Sequence, residues 1–480
     1  MRCPCPQQAQ RHQALRSGDN GVSILRKSRR GFVLLAVLVV IMMASMVAMS
    51  LLFRMRAEDT ASMVTLTSEQ GFGAAISGVH EAMRMVSRTT LGNSEWQDNP
   101  RAFRDRFVFD DGVDRWYFTL WSPPADDSLQ EVRYGLTDEA AKLNLNLVHT
   151  ADLTKFAKFD ATLIQPLRDF IDSDTSQREG GGEETSPLSG AAAYQARNGA
   201  LNTLEELLLV RGFTPRFLYG EDLNLNCRLD SNEDDGDQQP PADNGDGKLD
   251  LGMRSYLTVS SYEPNRDSQG APRTNLNDPR SPLPPVEMND AFTNYVKTLR
   301  AQKLRVAHPA DLLESSLKTK DQLGREVEMP SGVGKKELPL LLDHFTATAE
   351  SEISGLINVN TASIAVLATV PGIDEPMAEA IASARKSLSS EQRQTIAWLY
   401  ENDVMDAARF RMSAPHLTAR SFQFRFQVVG FGMPSGRYRV LDVMIDAAGG
   451  EPAISYLRDI TRLGLPFSLE NVSAKEASGG

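Results

Sequence analysis

Residues Phe32 to Phe53 form a run of 22 uncharged residues, FVLLAVLVVIMMASMVAMSLLF, directly behind the basic cluster Arg26-Lys27-Ser28-Arg29-Arg30-Gly31. As one helix this run is about 33 Å long, enough to cross a bilayer core of about 30 Å. Lysine and arginine before such a helix hold that end in the cytoplasm, so the rest of the chain is expected on the far side. That body is long and acidic. With 480 residues it exceeds one compact core, and two or three domains are expected. The formal net charge of -12 argues against nucleic acid as a partner. Cys3 and Cys5 precede the apolar run and Cys227 stands alone in the body, so no disulfide framework is available. Six histidines without an HExxH pattern argue against a zinc enzyme.

Three readings of the N-terminal segment compete. A secretory signal peptide has a shorter apolar region followed by a small-residue cleavage site. Here the run is long and ends in Phe53-Arg54-Met55-Arg56-Ala57-Glu58. A plain transmembrane anchor fits the length and the basic flank. The third reading is a prepilin-type leader, which the string RRGFVLLAVLVV resembles. That resemblance implies cleavage between Gly31 and Phe32 by a prepilin peptidase, followed by N-methylation of Phe32. It also implies a glutamate five residues after the cut, paired with a neighbour's amino terminus inside the filament. Ala36 occupies that place. A lone buried carboxylate is unfavourable unless paired, so its absence suits a subunit at a filament tip.

From Ala57 to about Val86 apolar residues recur at helical spacing, so the helix is expected to continue, with a bend at Gly71 and Gly73. RDRFVF, DRWYFTLW and LQEVRYGL then read as short strands with turn residues between them. A second strand set lies near the C-terminus, within 421–430, 436–445 and 454–458. In its first member Phe422, Phe424 and Phe426 alternate with polar residues, so one buried face is expected. The economical architecture is α+β: a long N-terminal helix on a small antiparallel sheet made from both flanks, with a large, mainly helical domain inserted between strands. The expected boundaries are a leader at 1–31, a membrane or filament-core helix at 32–56, an α/β domain from 57–148 plus 418–465, an insertion at 149–417, and a disordered tail at 466–480.

Leu136-Thr137-Asp138-Glu139-Ala140-Ala141-Lys142-Leu143-Asn144-Leu145-Asn146 sits at the start of the insertion. Residue by residue it suits a strand end with side-chain-capped turns. As a string it resembles the minor pseudopilin K family of type II secretion systems. The resemblance continues in Asn202-Thr203-Leu204-Glu205-Glu206-Leu207-Leu208-Leu209-Val210-Arg211-Gly212, in Ile357-Asn358-Val359-Asn360-Thr361-Ala362, and in Pro371-Gly372-Ile373. It implies a subunit at the tip of the pseudopilus, partnered by the other minor pseudopilins I and J, by the prepilin peptidase and by the inner-membrane secretion platform. It implies no enzymatic turnover. Two other readings remain open: a tip subunit of a type IV pilus, and an unprocessed membrane-anchored calcium-binding interaction protein.

Residues 360–376 read as a helix-hairpin-helix or SAM-like unit, with Asn360-Thr361 capping the first helix, Val370-Pro371-Gly372-Ile373 as the hairpin and Asp374 capping the second. Asp374 and Glu375 at its mouth repel phosphate, so a packing role is expected rather than DNA binding. The segment 202–213 reads as a second copy. Within an acidic stretch at 221–253, residues 222–233 match an EF-hand calcium loop by spacing. Asp222, Asn224, Asn226, Asp230 and Glu233 supply side-chain oxygens, Arg228 a backbone carbonyl, and Leu229 is expected to point into the core. Cys227 stands where glycine usually makes the turn. A second, incomplete loop offers Asn244, Asp246 and Asp250, needing an oxygen from Asp234, Asp235 or Asp237. Asp172, Asp174 and Glu183-Glu184 form a weaker acidic group. No GxSxG, phosphate-binding loop or dinucleotide fingerprint is present.

Overall fold

A computed structural model of the chain describes residues 30–88, 92–123, 133–147, 153–156, 159, 161–182, 184–185, 194–236, 238–283, 288–320 and 325–467. The chain divides into two compact units, Met1–Leu66 and Thr67–Gly480. Helix α1 spans Arg30–Arg88 and contributes to both. In the first unit every described side chain from Phe32 to Phe53 is exposed. Among the described residues α1 is the one helix long and apolar enough to cross a membrane. The expected leader up to residue 29 lies outside the described residues.

The second unit is built on an antiparallel sheet. Strands β1 (Arg106–Asp110), β2 (Arg115–Trp121), β3 (Gln423–Met433), β4 (Tyr438–Asp446) and β5 (Ala453–Asp459) lie in that order, and Thr137–Asp138 adds a short ladder beside β3. The join between the two flanks is the β2–β3 ladder, with Trp121 opposite Gln427 and Phe118 opposite Gly430. One sheet drawn from both flanks is thus what the chain forms. The first half of the third N-terminal strand expected, LQEVRYGL, lies outside the described residues; Arg133, in its second half, makes an isolated bridge to Ser122. The tail expected at 466–480 is corrected at its start, where Phe467 packs edge-on against Phe431; the rest of it lies outside the described residues.

α1 packs on one face of this sheet, and glycine lets it come close. A Cβ on Gly78 would stand 2.7 Å from a Val428 methyl and 2.8 Å from a Leu120 methyl. A Cβ on Gly430 would stand 2.2 Å from the Gly71 carbonyl oxygen. The helix runs unbroken through Gly71 and Gly73, where a bend was expected. The physical reason is that tertiary packing outweighs a propensity deficit of about 1 kcal/mol per glycine. Ala75, Val79 and Ala82 meet Phe118, Leu120, Phe424, Phe426 and Val428 in this cluster. The opposite face of β3 is buried as well, through Val429 and Phe431. The single buried face expected from the Phe422–Phe426 alternation is therefore corrected, because the insertion covers the other side.

The insertion runs between β2 and β3. It is less helical than expected: short helices and 3-10 turns alternate with two-stranded ladders and long loops. Its order comes from three copies of one clasp. Short parallel ladders join Leu143–Asn144 to Leu257–Thr258, Thr274–Asn275 to Phe345–Thr346, and Ile357–Asn358 to Leu417–Thr418. In each the first strand continues into Asn-x-Asn. The Oδ1 of Asn144, Asn275 or Asn358 accepts the backbone N–H of Asn146, Asn277 or Asn360, two residues on. The amide of that second asparagine then donates to two carbonyls. Asn146 bonds Leu201 and Val259, Asn277 bonds Val306 and Ala347, and Asn360 bonds Arg393 and Ala419. One carbonyl of each pair directly follows the partner strand. Asn146 and Asn277 also accept a backbone N–H, from Leu201 and Val306, whereas Asn360 Oδ1 is buried without a hydrogen-bond partner. Paired buried amides of this kind fix a fold because leaving them unpaired is expensive.

Asp138 ties the two ends of the insertion together. Its Oδ1 caps Ala140 N–H. Its Oδ2 accepts from Asn358 at 2.9 Å, Thr361 at 2.6 Å and Ser421 at 2.7 Å. Burial pushes this carboxyl up to about 6.

Candidate functional site

The helix Pro215–Tyr219 begins at a Thr214 cap and ends at Gly220. The chain then enters the first acidic loop. Asp222 is buried, and its two oxygens accept the N–H groups of Asn226 at 2.9 Å and Cys227 at 3.1 Å. Asn224 accepts the same Asn226 N–H, and Asn226 accepts that of Arg228. The amides of Asn224 and Asn226 both donate to Asp230 Oδ2, at 2.8 and 2.7 Å. The Asp230 N–H in turn donates to Glu233 Oε2 at 3.1 Å. Side chains at positions 1, 3, 5, 9 and 12 of the twelve-residue pattern are thus tied to one another or to the loop backbone by hydrogen bonds.

Cys227 does what glycine was expected to do. Its φ is 53°, in the left-handed region, and its buried side chain packs with Val429, Phe431 and Ile460 under β3. Leu225, also left-handed at φ 57°, is buried, and its carbonyl accepts from Gln427 Nε2 at 3.0 Å. Leu229, expected in the core, is only half-buried. The reason is that, among the described residues, no helix directly follows the loop, and Leu225 and Cys227 are the residues that reach the sheet.

The electrostatics of the loop suit a cation. Glu233 and Asp222 are 2% and 3% exposed. Burial pushes Glu233 up to about 7 and raises Asp222 as well. Such carboxylates are stabilised when a cation replaces the lost water. The oxygens of Asp222, Asn224, Asn226, Asp230 and Glu233, with the Arg228 carbonyl, are of the hard type calcium takes. Among the described residues no three His, Cys, Asp or Glu side chains converge as a metal-binding group, so amide and backbone oxygens would have to complete the shell.

In the second loop Asn244 and Asp246 bond each other, and their oxygens accept the N–H groups of Asp246 and Lys248. Asp234 reaches the turn and accepts Gly247 N–H at 2.9 Å. Asp250 is directed elsewhere, accepting Gly252 N–H while its own N–H donates to Glu221. Asp243, which the spacing does not single out, accepts from Asp235, Gly236 and Gly245 and is the hub of this loop. The weaker group at Asp172 and Asp174 is not assembled: Asp172 pairs with Arg178, which also bonds the buried Asp169 at 2.8 Å. Glu183 lies outside the described residues.

At the expected hairpin, Ser363 rather than Asn360-Thr361 caps the helix Ile364–Leu367, because Asn358 and Asn360 are spent on the clasp. Asp374 caps Glu375–Ala384 as expected, accepting Met377 N–H at 3.0 Å. Gly372, at φ 84°, lies against Ser413, whose hydroxyl donates to the Pro371 carbonyl. The turn is thus buried against a neighbouring helix. The segment 204–219 follows the same plan, with Gly212 left-handed, Thr214 as cap and Pro215 in the first helical turn.

The C-terminal part of α1, from Phe72 to Val86, packs on the antiparallel sheet. Residues 130–219 match the family described as type II secretion system (T2SS), protein K. The matched stretch takes in Asp138, the first Asn-x-Asn at 144–146 and the Thr214-capped helix. No curated protein matches the chain. A solved structure, the GspK-GspI-GspJ complex from the type 2 secretion system of enterotoxigenic Escherichia coli, is similar over 83% of this chain and 98% of that one, at 13% identity and a TM-score of 0.39.

Proposed function

We propose that this chain is a minor pseudopilin that caps the tip of the type II secretion pseudopilus, where it helps to start assembly and so to drive protein export across the outer membrane. The observation that carries the reading is the pairing of α1, which has Ala36 and no acidic residue before Glu58, with a large insertion between β2 and β3. A helix without a carboxylate at position 36 is poorly suited to continue a filament, and an insertion spanning 122–422 makes the subunit too wide to stack inside a thin one. The bond between Gly31 and Phe32 is the processing site, cut by a prepilin peptidase and followed by methylation of Phe32. The run 32–53 lies in the inner membrane with its N-terminal side cytoplasmic and the body in the periplasm. The partners are the I and J minor pseudopilins, in keeping with the three-protein complex named for the similar solved structure, together with the inner-membrane platform. The first acidic loop binds calcium as a structural ion, and the second does so with help from Asp234. The role is mechanical, without turnover.

Immunogold labelling of pseudopili carrying an epitope-tagged chain tests the tip assignment. Gold at filament ends alone supports it, and gold along the filament length overturns it.

A further inference from the structure

The three clasps of the insertion differ at one atom. In the first two, the second asparagine pairs its whole amide with the backbone of a single residue. Asn146 Nδ2 donates to the Leu201 carbonyl and its Oδ1 accepts the Leu201 N–H at 2.8 Å. Asn277 does the same with Val306, whose N–H donates to its Oδ1 at 3.0 Å. In the third clasp Arg393 takes that place. Its carbonyl accepts from Asn360 Nδ2 at 2.9 Å, but its N–H is turned to the Ser389 carbonyl at 3.2 Å. Asn360 Oδ1 is therefore buried with no hydrogen-bond partner among the described residues. The Arg393 side chain carries a matching gap. Its Nη1 donates to Ser94 Oγ at 3.3 Å and its Nη2 to the Arg385 carbonyl at 3.0 Å, while its Nε is buried with no acceptor among the described residues. Asn360 and Arg393 line one cavity of about 80 Å³, between the third clasp and the segment 92–97 that follows α1.

We propose that this cavity is a binding site for internal water, which supplies to the third clasp the donor that a backbone N–H supplies to the other two. The two unpaired atoms select the ligand. Asn360 Oδ1 needs a donor and the Arg393 Nε–H needs an acceptor, so the occupants must offer both. A metal cation donates no hydrogen bond, and a carboxylate has no proton to give. Water does both, and it fits, since one molecule takes about 30 Å³ in the liquid. Immobilising it costs less than leaving a buried amide oxygen and guanidinium N–H unpaired. Its place gives it a task in this chain. Arg393 also reaches Ser94, so the water fixes the junction at which the segment after α1 meets the insertion.

Ala419 lines the same cavity, and replacing it separates a wet site from a dry one. Hydrogen exchange of the full chain in detergent is read at 358–361 and 392–395. Ala419→Val fills the space with methyl groups and expels water, so exchange there is expected to rise about tenfold, the equivalent of one lost hydrogen bond. Ala419→Ser offers a hydroxyl in place of water and is expected to leave exchange close to that of the unmutated chain. In crystals of the unmutated chain, density for an ordered water is expected within hydrogen-bonding distance of Asn360 Oδ1. Exchange that is unchanged or slower in Ala419→Val overturns the proposal, because filling a dry cavity protects. An equal rise in both variants overturns it as well, as does a crystal structure in which Asn360 Oδ1 is bonded to a protein group or faces a dry cavity.

Discussion

Gly73 and Gly78 sit five residues apart on one helix and carry opposite constraints. Nothing lies within 4 Å of a Cβ on Gly73, whereas a Cβ on Gly78 would press on Val428, Leu120 and Phe118. Gly73→Ala is expected to stabilise the chain by about 0.5–1 kcal/mol through helix propensity. Gly78→Ala is expected to destabilise it by about 1–3 kcal/mol through overpacking. Urea unfolding of the full chain in detergent checks both signs. Asp138 makes a sharper case. Asp138→Ala leaves the buried side chain of Asn358 and the hydroxyls of Thr361 and Ser421 short of an acceptor, with an expected loss of about 2–4 kcal/mol. From the sequence, glycine in a helix reads as a weakness and an aspartate at a strand end reads as a cap. Both readings are local, and what decides these residues comes from segments hundreds of positions away.

At the scale of elements, the acidic loop carries a pH-dependent expectation. Burial raises Glu233 from its ordinary 4.5 to about 7, so the cation-free folded state holds a proton there that the unfolded state has released. The cation-free stability contributed by this group therefore falls as pH rises from about 4.5 to about 7. Calcium takes the ionised form, so its stabilising effect is expected to grow across that same window. At neutral pH and a hundredfold excess over Kd, calcium should raise the melting temperature by about 3 °C. Differential scanning fluorimetry at pH 5 and pH 7.5, with calcium and with EGTA, checks the direction; an equal shift at both pH values would contradict it. The twelve-residue spacing was legible in the sequence because it is a pattern within one short stretch of chain. That Cys227 would serve as the glycine was not, because its partners Val429 and Phe431 lie two hundred residues on. Asn-x-Asn was legible at 144–146 and 358–360, and the copy at 275–277 carries the same spacing that could have revealed it. Asn277→Ala removes two donated bonds and one accepted bond, and should lower stability by about 2–4 kcal/mol.

At the scale of the whole molecule, the sheet drawn from both flanks was legible because aromatic and β-branched alternation marks strands wherever they fall in the chain. The texture of the insertion was not. Its helices are short, and its order resides in asparagine side chains that leave no hydrophobic period. α1 gives the molecule its other half: an apolar run, a basic flank and no carboxylate at position 36. The central claim is that this helix is a processed pseudopilin helix and not a plain anchor. Mass spectrometry of the mature N-terminus, on chain purified from cells that carry a prepilin peptidase, tests that claim most directly. A chain that begins at Phe32 with a methylated amine is expected. A chain that still carries Arg29-Arg30-Gly31 would contradict it.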